Sequence, residues 1–170
     1  MNNKKNWYAL KVFYNKVLCF RDLVVKDNVE TYIAMQEGKL LVSSLMFIKS
    51  TEDYLKSLRE QHLSEISFYK RACYRGKQVV FVPAVIPDEQ IEVFKRATEE
   101  GCEFRLLGDI PSLNLKPGDR VRVIEGPFKG QEGYLKRIKK DRKFVITIGN
   151  IAAFTIEGVT YKMVEKINRI

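Results

Sequence analysis

The stretch GDRVRVIEGPFKGQEGYLKRI, residues 118–138, decides how the C-terminal part of this chain is read. Residues 120–124, RVRVI, alternate charged and apolar side chains, which predicts a strand with one buried face. Gly126-Pro127 and Lys129-Gly130 are turn signals. Gly126, Gly130 and Gly133 permit positive φ or close backbone approach. Pro127 stiffens the turn, and Phe128 is placed to plug one end of a small barrel. Val121, Val123, Tyr134, Leu135 and Ile138 supply inward faces. Downstream, KFVITIG, AAFTIE and TYKMVEKI continue as short strands. Several short strands over residues 116–170 predict a small barrel, because closure spares a small sheet its exposed edges.

Upstream the pattern is mixed. WYALKVFY at 7–14 is aromatic and β-branched, which favours a strand. Val17, Phe20, Leu23 and Val24 then fall at helical spacing over 16–27. ETYIAM at 30–35 and LLVSSLMFIK at 40–49 read as strands, the second apolar on both faces and therefore central. Thr51 caps a helix to about Gln61, with Glu52 and Asp53 in its first turn and Tyr54, Leu55 and Leu58 inward. ISFYKRACY at 66–74 and QVVFV at 78–82 are strands around Arg75-Gly76-Lys77. PDEQIEVFKRATEEG opens a helix at Pro87 and ends it at Gly101, with Ile91, Phe94 and Ala97 apolar. The expected fold class is α+β. An antiparallel sheet flanked by helices fills residues 1–100, residues 101–115 form a linker that could hide a strand in EFRLL, and 116–170 form the barrel.

The net charge is +9 from 30 Lys/Arg and 21 Asp/Glu, with +3 in residues 1–100 and +6 in 101–170. That balance favours a polyanionic or nucleoprotein partner. Cys19, Cys73 and Cys102 are far apart and odd in number, which argues against a disulfide framework or zinc site and for a reducing compartment. MNNKKNWYALKVF lacks a signal-peptide apolar stretch, and no run approaches a membrane span, so the expected location is the cytoplasm and no membrane partner is expected.

Nothing in the chain assembles a nucleophile, a base and an orienting group. The single histidine, His62, ends a polar helix and reads as a surface residue. There is no P-loop and no G-x-G-x-x-G after a strand. Asp88-Glu89 and Glu99-Glu100 read as solvated or dipole-capping acids. An enzyme, a cofactor and a metal site are not expected.

Residues 118–138 resemble the KOW motif of the NusG family: an alternating strand, Gly-Pro-Phe, then a downstream glycine before the next strand. The motif residues are Gly126, Pro127, Phe128, Gly130 and Gly133. KOW motifs also occur in ribosomal proteins. WYALKVFYNKV resembles the opening strand and first helix of the NusG N-terminal domain, and LLVSSLMFIK resembles its central strand without the usual Pro-Gly-Tyr. VEKI at 164–167 resembles the last strand. Ile148-Gly149-Asn150-Ile151-Ala152-Ala153-Phe154-Thr155 departs from the housekeeping pattern, at a loop that binds a ribosomal protein and the termination factor Rho in the family. VITIGNIAAFTIE is more similar to the specialised UpxY-like antiterminators, with RfaH-like proteins as a further likeness.

The resemblance implies a monomeric transcription elongation or antitermination factor. It would bind the clamp helices of RNA polymerase and suppress pausing at specific operons such as surface-polysaccharide loci. Candidate polymerase contacts are Tyr8, Leu41, Leu45, Phe47, Ile91 and Phe94, each of which also reads as core. A strand apolar on both faces needs a helix on each, or leaves one face as a docking patch. Candidate nucleic-acid contacts, to non-template DNA or nascent RNA, are Lys11, Lys16, Arg21, Arg71, Arg75 and Lys77, with Tyr14 available for stacking. The run from Lys136 to Lys143 reads as a solubilising hairpin or as a contact to RNA or the ribosome. The alternative function is a ribosome-associated or RNA-binding KOW protein without polymerase binding.

Overall fold

The computed structural model describes residues 4–100, 103–106, 119–138, 140–148 and 151–167. The chain divides into two compact units between Lys95 and Arg96.

The first unit begins with β1 (Asn6–Val12), α1 (Val17–Lys26) and β2 (Glu30–Tyr32). A short hairpin of β3 (Met35–Gln36) and β4 (Lys39–Leu40) follows, then β5 (Leu45–Ser50) and α2 (Glu52–Gln61). β6 (Ile66–Phe68), β7 (Lys70–Arg75), β8 (Gln78–Pro83), β9 (Val85–Ile86) and α3 (Asp88–Glu99) complete the series, α3 running on past the division. The main sheet has the order β2-β5-β1-β6, with β9 also on β1, and every pairing is antiparallel. One expected strand, 40–49, is two. The Leu41 N–H donates to the Ala34 carbonyl at 2.9 Å, drawing residues 41–44 toward the small hairpin, and β5 starts only at Leu45.

Register fixes the two faces of this sheet. Tyr8, Leu10 and Val12 of β1 lie with Met46 and Ile48 of β5 and Ile66 and Phe68 of β6. α1 covers them with Val17, Phe20 and Val24, and α2 with Leu55 and Leu58. Leu23, expected inward, is exposed, because the helix turns its narrower Val17-Phe20-Val24 stripe to the sheet. The Thr51 hydroxyl accepts from the Tyr54 N–H at 3.3 Å, the expected cap of α2.

Trp7, Ala9, Phe47 and Leu45 fall on the opposite face, since β1 pairs Ala9 with Phe47 and Lys11 with Leu45. α3 packs here. The Phe94 ring meets Phe47 edge-on at 5.7 Å and Tyr32 at 5.7 Å. Lys95 lies over both Trp7 and Tyr32. A helix therefore covers each face of the apolar central strand.

β6 and β9 occupy successive stretches of one edge of β1, pairing with Leu10–Val12 and with Trp7-Tyr8. Between them β7 and β8 pair only with each other, as a separate two-stranded ribbon.

The second unit is one antiparallel sheet. Its strands are β10 (Glu103–Leu106), β11 (Arg120–Val123), β12 (Glu132–Ile138), β13 (Asp141–Ile148), β14 (Ala152–Ile156) and β15 (Val164–Lys166). They lie in the order β10-β14-β13-β12-β11-β15. The strand that EFRLL could hide within the expected linker is present at 103–106, which pair with β14 from Glu103 opposite Thr155 to Leu106 opposite Ala152. Residues 101–102 and 107–115 lie outside those described. Val121, Val123, Phe144 to Ile146, Ile148 and all of β14 are buried. β14 lacks polar alternation because its side chains are buried on both faces, and its two edges are paired by β10 and β13.

Candidate nucleic-acid and partner-binding surfaces

The Gly-Pro-Phe-Lys-Gly turn joins β11 to β12. Gly126 and Gly130 both have φ of +88°, a backbone that L side chains rarely adopt. The Lys129 N–H donates to the Gly126 carbonyl at 3.1 Å, and the Gly130 N–H to the Val123 carbonyl at 2.8 Å. Phe128 is buried, while Pro127 stays exposed. Gly133 sits inside β12 against β13. These five motif residues thus shape the turn and its packing.

Charges along this sheet are mostly paired. Glu132 receives Arg120 at 2.6 Å and Arg122 at 2.9 Å, and Arg122 also reaches Glu165 at 3.6 Å. Arg122 first, then Arg120, holds the Glu132 carboxyl below its ordinary range. Lys136 pairs with Asp119. In the β12–β13 hairpin, however, Lys136 lies opposite Lys143 and Arg137 opposite Arg142. Like charges directly opposed on a sheet cost stability.

The apolar candidates in the first unit are redistributed. Tyr8, Leu45, Phe47, Ile91 and Phe94 are all buried, which corrects the expectation of an exposed docking patch built from them. The physical reason is the helix on each face of the sheet: α1 and α2 cover Tyr8, and α3 brings Phe94 onto Phe47. Burial also pushes the Tyr8 phenol pKa up. Leu41 alone of the six is only half-buried.

The cationic candidates separate into two groups. Lys16 is 2.7 Å from Glu65, and Arg21 is 2.8 Å from Asp22. Glu65 also accepts His62 at 2.8 Å, and the His62 ring stacks edge-on against Phe20 at 5.2 Å, so the histidine is a packed residue of the α2 end and not a free surface one. Lys11 lies over the Phe13 ring at 5.5 Å. At the same corner Tyr14 is exposed in the left-handed region, φ 60°. Arg71, Arg75 and Lys77 stand together on the β7–β8 ribbon, exposed, and among the described residues none pairs with a carboxylate.

Tyr74, Val79 and Phe81 are the surface residues that sequence reading passed over. All three are exposed on the same ribbon. Their alternation is visible in the sequence, but nothing local shows that no helix covers them. Cys19 and Cys73 are free thiols. Among the described residues no cluster of His, Cys, Asp and Glu could hold a metal ion, and no helix is long and apolar enough to cross a membrane.

Residues 117–147 match the KOW motif. No curated protein matches the chain. Among solved structures it is similar to Thermotoga maritima NusG, in a study of domain interaction, at 20% identity over 97% of this chain and 98% of that one, with a TM-score of 0.48. It is also similar to the MjSpt4:Spt5 complex. Conformation A gives 16% identity over 96% and 99% of the two chains, with a TM-score of 0.31. Conformation B gives 18% identity over 96% and 97%, with a TM-score of 0.32.

Proposed function

We propose that this chain is a transcription elongation factor of the NusG type that acts by binding RNA polymerase, with no bond made or broken. The observation that carries the reading is a KOW motif at 117–147 standing behind a separate α+β unit that opens on the strand WYALKV. A factor of this kind works by population shift. If it binds the paused and the elongating polymerase with different affinity, it favours the state it binds better, by no more than that difference.

The polymerase contact proposed for the first unit centres on Leu41, while Tyr8, Leu45, Phe47, Ile91 and Phe94, being buried, contribute through the fold of that unit. Lys11, Arg71, Arg75 and Lys77 are proposed to meet the non-template strand or the nascent RNA. Lys16 and Arg21, already neutralised, contribute less. The likeness of VITIGNIAAFTIE to UpxY-like antiterminators supports action at one or a few operons, such as surface-polysaccharide loci, by a cytoplasmic monomer. Buried Ile151 to Thr155 support this specialisation, because a stretch spent on core is not available to a ribosomal protein or to Rho.

Association of the full chain with purified RNA polymerase tests the proposal. Retention on immobilised polymerase, with fewer or shorter pauses in single-round elongation, is expected. One observation favours the second reading, a ribosome-associated or RNA-binding KOW protein: the opposed cations Arg137 and Arg142 would be relieved by a polyanion. Binding to ribosomes or RNA with none to polymerase would establish that reading instead.

A further inference from the structure

A bare strand edge presents a row of unpaired N–H and C=O groups and is a template for another chain. The sheet of the second unit ends on β10 at one side and β15 at the other. Both end strands are short, four residues and three. Each carries one acid and one base, Glu103 with Arg105 and Glu165 with Lys166. Short, charged end strands blunt edge-to-edge association.

What stands behind them differs. Behind β15 lies β11, Arg120-Val121-Arg122-Val123, whose two arginines charge it along its length. Behind β10 lies β14, Ala152-Ala153-Phe154-Thr155-Ile156, with no charge, no proline and no glycine, and with all five residues buried. β13 holds one edge of β14, from Phe144 opposite Ile156 to Ile148 opposite Ala152. β10 holds the other: Glu103 opposite Thr155, Phe104 opposite Phe154, Arg105 opposite Ala153 and Leu106 opposite Ala152. Among the described residues no other strand pairs on that edge. With β10 gone, the sheet would end on an uncharged, proline-free, apolar strand, the composition of a segment prone to associate.

That strand also fits itself. Laid antiparallel on a second β14 with Phe154 opposite Phe154, it sets Ala152 against Ile156 and Ala153 against Thr155. Small meets large beside the central rings, and no like charges are opposed. Glu157, next in the chain, falls opposite Ile151 and not opposite its own copy. Against this fit stands the net charge of +9, which makes two copies repel until salt screens them.

We infer that β10 is a guard strand: paired on β14, it fills the edge at which a second copy of this chain would add, and so keeps the protein monomeric. The guard concerns the sheet of the second unit and holds whatever that unit binds. Anything that draws residues 103–106 off β14 turns the monomer into a dimer joined through β14.

The test uses the full chain with Phe104→Pro and Arg105→Pro together. Successive N–H groups of a strand point to opposite edges, so one of the two prolines removes a donor that faces β14. Mass is read by sedimentation velocity over a range of protein concentration and salt. Amide exchange of Ala152–Ile156 is followed in the same samples. Wild type should stay monomeric throughout, with β14 protected. The double variant, when dilute, should be monomeric with β14 exchanging faster. On concentration its mass should double and protection should return at β14, sooner at higher salt. A synthetic peptide of residues 102–108 should restore the monomer, and a scrambled peptide should not; this separates an opened edge from a misfolded chain. A double variant that stays monomeric with β14 unprotected would overturn the inference. So would β14 still protected in the dilute variant, since β10 would then not be its cover. Assembly that the peptide fails to reverse, or that leaves β14 exchanging freely, would overturn it as well.

Discussion

A side-chain carbon placed on Gly133 would lie 2.5 Å from the Val145 carbonyl oxygen and 2.8 Å from the Phe144 ring. Neither neighbour can yield cheaply, since one is backbone of the paired strand β13 and the other is a fully buried ring. Gly133→Ala should destabilise the second unit by about 1–3 kcal/mol, the usual range for overpacking. Gly130→Ala meets nothing within 4 Å and bears only the left-handed backbone, φ +88°, a cost of about 1–2 kcal/mol. Urea unfolding of both variants checks this. Wild-type stability in Gly133→Ala would mean that β12 and β13 do not approach as described.

Phe94 and Leu41 were equivalent candidates in the sequence and are not equivalent in the fold. Phe94 is buried against Phe47 and Tyr32, so Phe94→Ala should cost about 3–5 kcal/mol of stability. Leu41→Ala, at a half-buried site, should cost clearly less and act on polymerase affinity. Thermal melts beside a polymerase binding assay separate the two. Equal melting of both variants would undo the division between core and surface.

Glu65 ties α1 to the end of α2 by accepting both Lys16 and His62. Lys16 first, then His62, holds its carboxyl below the ordinary value. A depressed carboxylate contributes stability that is present above its unfolded pKa and is lost as pH falls through the folded one. The stability difference between wild type and Glu65→Gln should therefore be full near neutrality and shrink on acidification below about pH 4. A difference that stays constant down to pH 3 would show that the charge on Glu65 is not what matters.

Thr51 caps α2 through one side-chain acceptor, backed by Glu52 and Asp53. Thr51→Ala should lower stability by about 1 kcal/mol, and Thr51→Asp should largely restore it. Denaturant midpoints of the pair decide the matter, and an unchanged midpoint in Thr51→Ala would remove the cap from the account of α2.

Local chemistry was legible in the sequence where one residue decides an outcome. Thr51 announces a cap, Pro87 and the acids after it announce α3, and Gly126 to Gly130 announce the turn of the KOW motif. Tertiary cover was not legible. A strand such as Leu45–Ser50, apolar on both faces, reads the same whether α3 packs on it or a partner does. The break at Leu41–Ser44 depends on Leu41 bonding to Ala34 across the small hairpin, a non-local choice. Pairing of residues 103–106 with β14 likewise joins segments far apart in the chain. The same limit hid Tyr74 and Phe81, since their alternation predicts a strand and says nothing of whether its outer face is covered.

The proposed function turns on engagement of RNA polymerase. The most direct measurement is binding of the full-length chain to reconstituted elongation complexes, read together with pause duration on one template. Association with a shortened pause, weakened by Leu41→Ala at undiminished thermal stability, is the expected result. No association with the elongation complex at micromolar protein, alongside firm binding to RNA or ribosomes, would contradict it.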